Sequence, residues 1–168
     1  MKNITNFLTI AASVFVAQPV FGHPGQSHSP PKTAHSMAPA ETAAIRAVLA
    51  KYQAAVERLN AAGTERLFTA DSMIFESGGV EGNYANYLAH HLTPELAEFK
   101  SFRFSDYKVD VRLEGQIALA TETYRYRIET KKGEVADRLG VATSALKKIA
   151  GEWKIISMHN SARKPKGS

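Results

Sequence analysis

The chain has 168 residues, a length that suits one domain, and 44% of them are hydrophobic while 22% are charged. It contains no cysteine, which excludes disulfide bonds and thiol chemistry. The net charge of +5 is modest, and part of it lies in a basic tail at residues 162–168. Charges of both signs are mixed elsewhere, so we expect a solvated surface and no nucleic-acid partner.

Residues 1–22 have the composition of a secretory signal peptide. Lys2 precedes an apolar run over residues 7–17, and small residues lie near the segment's end at Gly22. The run is too short for a membrane span. A buried N-terminal helix is the alternative, but Pro19 and Pro24 would interrupt it. We therefore expect an exported protein, periplasmic or secreted, that has no membrane anchor.

Residues 23–40 are rich in histidine, proline and serine and show no apolar periodicity, which is typical of a disordered linker. Cleavage after residue 22 would leave His23 at the mature amino terminus, where an amine and an imidazole can chelate copper together. His28 and His35 follow in the same segment. A copper or zinc site there is one hypothesis, and incidental histidines in a linker are the alternative.

The folded domain is predicted over residues 41–161 and begins with helices. Apolar residues at helical spacing from Ile45 to Leu59 predict a first helix, and Thr64 can cap a short second one. A brief strand ends at Glu76. Asn83 can cap a third helix, which restarts at Pro94 because proline suits the first turn of a helix. One stripe of this third helix carries Tyr84, Tyr87, Leu88, His91 and Leu92.

After residue 100 the apolar periodicity changes to two, which is typical of strands. Phe102 and Phe104 alternate in one phase and Tyr107 begins the other, so we predict a β-bulge or a bend near Ser105 and Asp106. Further strands are predicted at residues 116–130, 134–149 and 153–161. Helices followed by an antiparallel meander indicate an α+β fold. Apolar residues on both faces of the later strands predict a homodimer through the outer face of the sheet.

The last strand is predicted to direct a histidine inward. Strict alternation places five side chains on one face: Trp153, Ile155, Ser157, His159 and Ser161. Since the tryptophan and isoleucine belong on an inward wall, His159 is expected to share that wall.

Three N-terminal helices, a strand pair around Phe75 and a bent meander ending in W-K-I-I-S-M-H-N-S resemble the nuclear transport factor 2-like superfamily. Its SnoaL-like domains are the most similar members, and the association domain of calcium/calmodulin-dependent kinase is also similar. The resemblance implies a cystatin-like cone, in which a curved antiparallel sheet wraps around three helices and leaves a pocket at its open end. Isomerases, cyclases, dehydratases and binding modules share this fold, so no single activity follows.

Six residues are candidates for the lining of that pocket: His91, His159, Tyr84, Tyr87, Glu76 and Arg125. The resemblance implies that the face of His159 lines the cavity, and the helical stripe directs His91 inward. Structural histidines, core tyrosines and an exposed arginine are the alternatives.

The main functional hypothesis is an exported domain that binds a small ligand in the cone, without a cofactor, because the sequence contains no glycine-rich cofactor loop. A second hypothesis is an enzyme. Glu76 could act as the base of an isomerase of the ketosteroid type, or His91 and His159 could serve a dehydratase of the scytalone type. A third hypothesis places copper or zinc between His91 and His159, with Glu76 as a further ligand.

Overall fold

The computed structural model describes residues 39–166. The elements in chain order are α1 (Pro39–Glu57), a 3₁₀ turn (Thr64–Leu67), β1 (Phe68–Glu76), β2 (Gly79–Gly82), α2 (Tyr84–Tyr87), a π-helical turn (Leu88–Leu92), α3 (Thr93–Glu98), β3 (Phe99–Glu114), β4 (Ile117–Thr130), β5 (Val135–Ile149) and β6 (Glu152–Arg163). The proposed signal peptide and the histidines at 23, 28 and 35 lie outside the described residues. The first helix begins two residues inside the predicted linker.

Six strands form one sheet in the order β2-β1-β6-β5-β4-β3, and the α+β class is confirmed. Four of the five strand pairs are antiparallel, but β1 and β6 are parallel, so the curved sheet is mixed. A parallel pair needs a long connection, which here consists of everything between β1 and the last strand. No helix within residues 39–166 is long and apolar enough to cross a bilayer.

The core lies between α1 and the concave face of the sheet. Ile45 and Leu49 of the helix are buried in one cluster with Leu146, Ile155 and Met158 of the last two strands. Burying side chains of this size contributes about 1.5–3 kcal/mol each. The helix is also tied to the turn between β5 and β6 by polar contacts. Glu41 accepts hydrogen bonds from Lys148 Nζ at 2.6 Å and Trp153 Nε1 at 2.7 Å.

The third predicted helix is one continuous helical run with a widened turn in its middle. The side chain of Asn83 accepts a hydrogen bond from the backbone of Asn86 at 2.9 Å, which confirms the predicted cap. The π-helical turn ends at Leu92, two residues before Pro94. Proline lacks an N–H group and its ring clashes with the carbonyl four residues earlier in a regular α-helix, so the wider turn accommodates it.

The bulge predicted in β3 is confirmed. Pairing passes from Ser105 opposite Arg125 to Lys108 opposite Thr123, which leaves Asp106 and Tyr107 opposite a single residue of β4. Asp106 has a φ of 53°, in the left-handed region that such bulges use.

A second bulge, which the sequence analysis did not predict, lies in β6. Ile155 pairs with Leu146 while Ser157 pairs with Ala145, so Ile156 has no partner in β5. One extra residue reverses which side chains face inward for the rest of the strand. Met158 is therefore buried and its neighbour is exposed.

Candidate functional site

A cavity of about 150 Å³ opens between the end of α1, the third helical run and the sheet. Seven aromatic residues line it: Tyr52, Tyr87, Phe99, Phe102, Phe104, Tyr124 and Tyr126. The remaining wall combines aliphatic with polar residues, namely Val56, Leu92, Leu96, Ile128, Ala162, Glu76, Ser77, Glu95, Asn160 and Ser161. A concave apolar site with a few polar groups is the usual form of a small-molecule pocket.

Glu76 is positioned by the tight hairpin that follows it. Ser77 and Gly78 have φ values of 48° and 92°, so both occupy the left-handed region that a two-residue hairpin turn needs. The backbone N–H of Ser77 donates to the carbonyl of Asn160 at 3.0 Å, which holds the turn against the end of β6. The carboxylate at the end of β1 is thereby fixed in the cavity wall.

Tyr87 holds that carboxylate from the helical side. Its Oη donates to Oε2 of Glu76 at 2.8 Å. Burial, the neighbouring Tyr52 and the charge of Glu76 raise the pKa of Tyr87 far above its ordinary value. The phenol therefore stays protonated and remains a hydrogen-bond donor at neutral pH. No residue between 39 and 166 donates a hydrogen bond to Oε1 of Glu76.

His91 lies at the mouth of the cavity among three carboxylates. Its Nδ1 is 3.3 Å from Glu81 Oε2, while its Nε2 is 3.4 Å from Glu95 Oε1 and 3.8 Å from Glu76 Oε2. Burial, followed by the charges of Glu76 and Glu81, raises the pKa of Glu95, although His91 opposes the shift. Across residues 39–166, no group of three or more histidine, aspartate or glutamate side chains is arranged to hold a metal ion.

A buried carboxyl group lies beneath the aromatic wall. Glu122 is 6% exposed and accepts a hydrogen bond from the Oη of Tyr107. Burial raises the pKa of this carboxyl group, and the hydrogen bond opposes that shift. The ring of Tyr107 stacks on Tyr124 with centroids 6.0 Å apart. Tyr124 also lies flat against Gly140, where an added Cβ would be 2.1 Å from a ring carbon.

The prediction that His159 lines the pocket is wrong. Because the bulge at Ile156 reverses the alternation, the histidine is exposed on the outer face of the sheet. There it borders Thr121 and Thr143 of the neighbouring strands. The structure does not bring His91 and His159 to one site, so a metal ion or catalytic group shared by the two is excluded.

Arg125 also lies on the outer face rather than at a pocket floor. It forms two hydrogen bonds to Asp137, at 2.8 and 2.9 Å. This pairing raises the pKa of the guanidinium and lowers that of the carboxyl group. Arg125 is therefore an exposed surface arginine, which was the alternative interpretation of this residue.

Tyr84 belongs to the core instead of the cavity. It is 2% exposed, its ring stacks on Phe68 with centroids 3.6 Å apart, and its hydroxyl bonds to Thr64 at 2.6 Å. Burial raises its pKa to about 12. Of the six predicted residues, Glu76 and Tyr87 line the cavity and His91 lies at its mouth.

Several lining residues were missed by the sequence analysis. Tyr124 and Tyr126 share the inward phase of β4 with Ile128, so alternation alone could have identified them. Glu95 lies one helical turn after His91 and could have been found by the i, i+4 spacing.

Residues 45–164 match the family of SnoaL-like domains. The chain belongs to this family. The match covers the whole sheet and most of α1, so the cavity of this SnoaL-like domain lies within the matched region.

Solved structures resemble this SnoaL-like domain. A protein of Shewanella frigidimarina described as a candidate ketosteroid isomerase is 30% identical, with a TM-score of 0.61, covering 68% of this chain and 92% of its own. A ketosteroid isomerase-like protein of Erwinia carotovora is 20% identical, with a TM-score of 0.65 and coverages of 74% and 98%.

A protein of Novosphingobium aromaticivorans described as a candidate aromatic ring hydroxylase is 19% identical, with a TM-score of 0.68 and coverages of 76% and 93%. At this identity, and at that of the Erwinia protein, the likeness shows the fold alone. Among curated proteins, none matches the chain.

Proposed function

We propose that this SnoaL-like domain binds a small, largely apolar organic ligand in the open end of its cone. The observation that supports the proposal best is the aromatic cavity, with Glu76 held in its wall by Tyr87 at 2.8 Å. Aromatic rings supply contact area, and one positioned carboxylate supplies orientation.

Filling the cavity tests the proposal. Ile128 lines it, so Ile128→Trp should occupy part of its volume and weaken binding of benzyl alcohol, a small aromatic probe, by about tenfold or more. Ile149→Trp is the matched control, because Ile149 is also a strand isoleucine and is not part of the lining. Binding measured by ligand-observed NMR should survive only in the control. Equal binding to both variants would place the ligand elsewhere.

Proton transfer on a bound ligand is the second candidate function, and the pairing of Glu76 with Tyr87 favours it. A carboxylate with one free oxygen can accept a proton, and a neutral phenol beside it can donate a hydrogen bond. A base and a donor in an apolar pocket suit isomerisation or dehydration, in which a proton is removed next to a carbonyl or hydroxyl group.

Exchange of the α-protons of cyclohexenone in D₂O, followed by NMR, tests this second candidate. The protein should accelerate exchange, and Glu76→Gln should abolish the acceleration because the amide cannot accept the proton. Glu98→Gln is the matched control, since Glu98 ends the same helix as Glu95 and is exposed. Ligand binding without accelerated exchange would leave the domain as a binding module.

We also propose that the domain is a homodimer through the outer face of its sheet. Met73, Leu119 and Val141 lie on that face and are 39%, 38% and 42% exposed. Exposed apolar side chains on one face favour a covering partner. Light scattering at micromolar concentration should give twice the chain mass, and Val141→Glu should halve it, whereas Val80→Glu on strand β2 should not.

We further propose that the chain is exported to the periplasm or secreted, after cleavage near residue 22. The support is the signal-like composition of the first residues. Mass spectrometry of the protein recovered outside the cytoplasm should show that these residues are missing. A full-length mass in the cytoplasmic fraction alone would reject the proposal.

A further inference from the structure

We infer that the cavity selects a small amine, bound as its ammonium ion next to an aromatic or alicyclic ring. This inference rests on the proposed function, since it names the class of ligand for the same cavity. Three features carry it: the aromatic faces, the charges of the lining and the free carboxylate oxygens.

The aromatic wall surrounds the cavity with ring faces and edges at several angles. Phe102 stacks on Tyr126 with centroids 5.2 Å apart and an interplanar angle of 22°. Phe104 meets Tyr124 edge-on at 5.1 Å and 88°. Ring faces carry negative potential, so a cation is attracted where it lies over one of them. A flat apolar ring fits the same wall by stacking.

The charged side chains in the lining are both negative. Glu76 and Glu95 line the cavity, and among residues 39–166 no lysine, arginine or histidine does. A carboxylate ligand would be repelled by this arrangement. A neutral ligand would displace water from the carboxylates without supplying a compensating positive charge. An ammonium group would form ion pairs with them.

Each of the two carboxylates keeps an oxygen for the ligand. Oε2 of Glu76 accepts the hydrogen bond of Tyr87, and Oε1 of Glu95 faces His91 at 3.4 Å. The other oxygen of each receives no hydrogen bond from the described residues 39–166. An ammonium ion has three donors, enough to donate to each of these oxygens.

Two basic side chains near the lining carboxylates and rings, His91 and Arg138, do not reverse this charge balance. His91 is shared among Glu76, Glu81 and Glu95, so even a protonated imidazole faces three carboxylates. Arg138 lies opposite Tyr126 in the neighbouring strand, and its guanidinium donates a hydrogen bond to the backbone carbonyl of Asp137 at 2.9 Å. Neither group lines the cavity, and the excess of negative charge remains at its wall.

Three probes of nearly equal size separate charge from shape: benzylammonium, benzyl alcohol and benzoate. Titration of the full chain at neutral pH, followed by calorimetry, should give the tightest binding for benzylammonium, exceeding benzyl alcohol by about fivefold or more. Benzoate should bind most weakly. The preference for benzylammonium should decrease at high salt, because salt screens an ion pair with the half-exposed Glu95.

Charge-neutral variants then locate the preference. Glu95→Gln should reduce the ratio of benzylammonium to benzyl alcohol affinity by about fivefold, and Glu76→Gln by at least as much. The exposed Glu98→Gln removes the same net charge and should leave the ratio unchanged. Glu95 is half exposed, so its variant keeps the test valid even if Glu76→Gln fails to fold.

The outcomes also separate this inference from the proposed function. If Ile128→Trp blocks all three probes and benzyl alcohol or benzoate binds as tightly as benzylammonium, the cavity binds ligands but does not select amines. If none of the probes binds, or if Ile128→Trp changes nothing, the ligand-binding function itself is wrong.

Discussion

The two ends of the concave face differ in how they are filled, although the same strand and the same helix form both. On β4, Ala118 and Ala120 are 0% and 2% exposed within the core, while Tyr124 and Tyr126 farther along line the cavity. On α1, Leu49 is buried in the core, and Tyr52 and Val56 farther along the helix line the cavity. Small side chains on this strand allow close packing in the core, whereas the two tyrosines farther along border a gap.

The comparison shows that side-chain size along one strand decides where a core ends and a pocket begins. The polar groups follow the same division. The carboxylates of Glu76 and Glu95 lie where the rings line the cavity, whereas Glu41 at the other end is paired with Lys148 and Trp153. Stability should therefore depend on one end and ligand binding on the other.

The largest effect is expected from shortening a side chain at the aliphatic end. Leu146→Ala or Ile155→Ala should reduce the free energy of unfolding by about 2–5 kcal/mol, because each is 0% exposed and leaves a void. Urea denaturation measures this loss. Ile128→Ala at the cavity wall should have a smaller effect, since its neighbours are already incompletely packed. Equal losses at the two ends would contradict the division into a solid core and a pocket.

The next effect is expected from Gly140→Ala. The added methyl group would meet the ring of Tyr124 at 2.1 Å, so the ring must move off the sheet, at a loss of about 1–3 kcal/mol in the free energy of unfolding. The displaced ring should also weaken binding of benzyl alcohol.

Combining Gly140→Ala with Tyr124→Ala sharpens that prediction. If the clash with the ring is the cause, the two losses should not add, because the second change removes the atom that the methyl group meets. Thermal unfolding of the two single variants and the double variant measures the coupling. Strictly additive losses would show that the ring is not the obstacle.

The sequence predicted the fold well where periodicity is regular or where a break in it is visible. The helices, the α+β class and the bulge at Asp106 follow from apolar spacing and from the change of phase after Phe104. The site was predicted less well. The bulge at Ile156 lies in a run of apolar residues in both phases, so nothing in the alternation marks it, and His159 was assigned to the wrong face.

The remaining errors concern direction and partners. Tyr84 and Tyr87 lie on one helical stripe, yet the first packs on Phe68 and the second reaches Glu76. Helical spacing places both on the side of the protein interior, but it does not distinguish a core from a cavity, since that depends on the residues opposite.

A smaller effect is expected from Tyr87→Phe. Loss of the hydroxyl removes the hydrogen bond to Glu76 and should reduce the free energy of unfolding by about 1 kcal/mol, without changing the fold. Urea denaturation and circular dichroism measure the two quantities. Tyr126→Phe is the control, because no residue within 39–166 shares a hydrogen bond with its hydroxyl. If Tyr87→Phe leaves the free energy of unfolding unchanged, a water molecule replaces the hydroxyl as the hydrogen-bond donor to Glu76.

The smallest effect concerns pH. Burial raises the folded-state pKa of Glu122 above 4.5, so the folded protein holds this proton more strongly than the unfolded chain. This contribution to stability is present below the ordinary pKa and is lost as pH rises through the raised one. Glu122→Gln removes this pH dependence of stability. The melting temperature of the variant minus that of the wild type should therefore be larger at alkaline than at acidic pH. A constant difference would show that Glu122 titrates normally.

Methyl NMR of the chain during titration with benzyl alcohol tests whether the aromatic end is the pocket and the aliphatic end is solid core. Shifts are expected at the methyl groups of Leu92, Leu96 and Ile128, which line the cavity, and none at those of Ile74, Leu146 and Ile155, which are 0% exposed. Shifts confined to the second group, or to Leu119 and Val141 on the outer face, would contradict it.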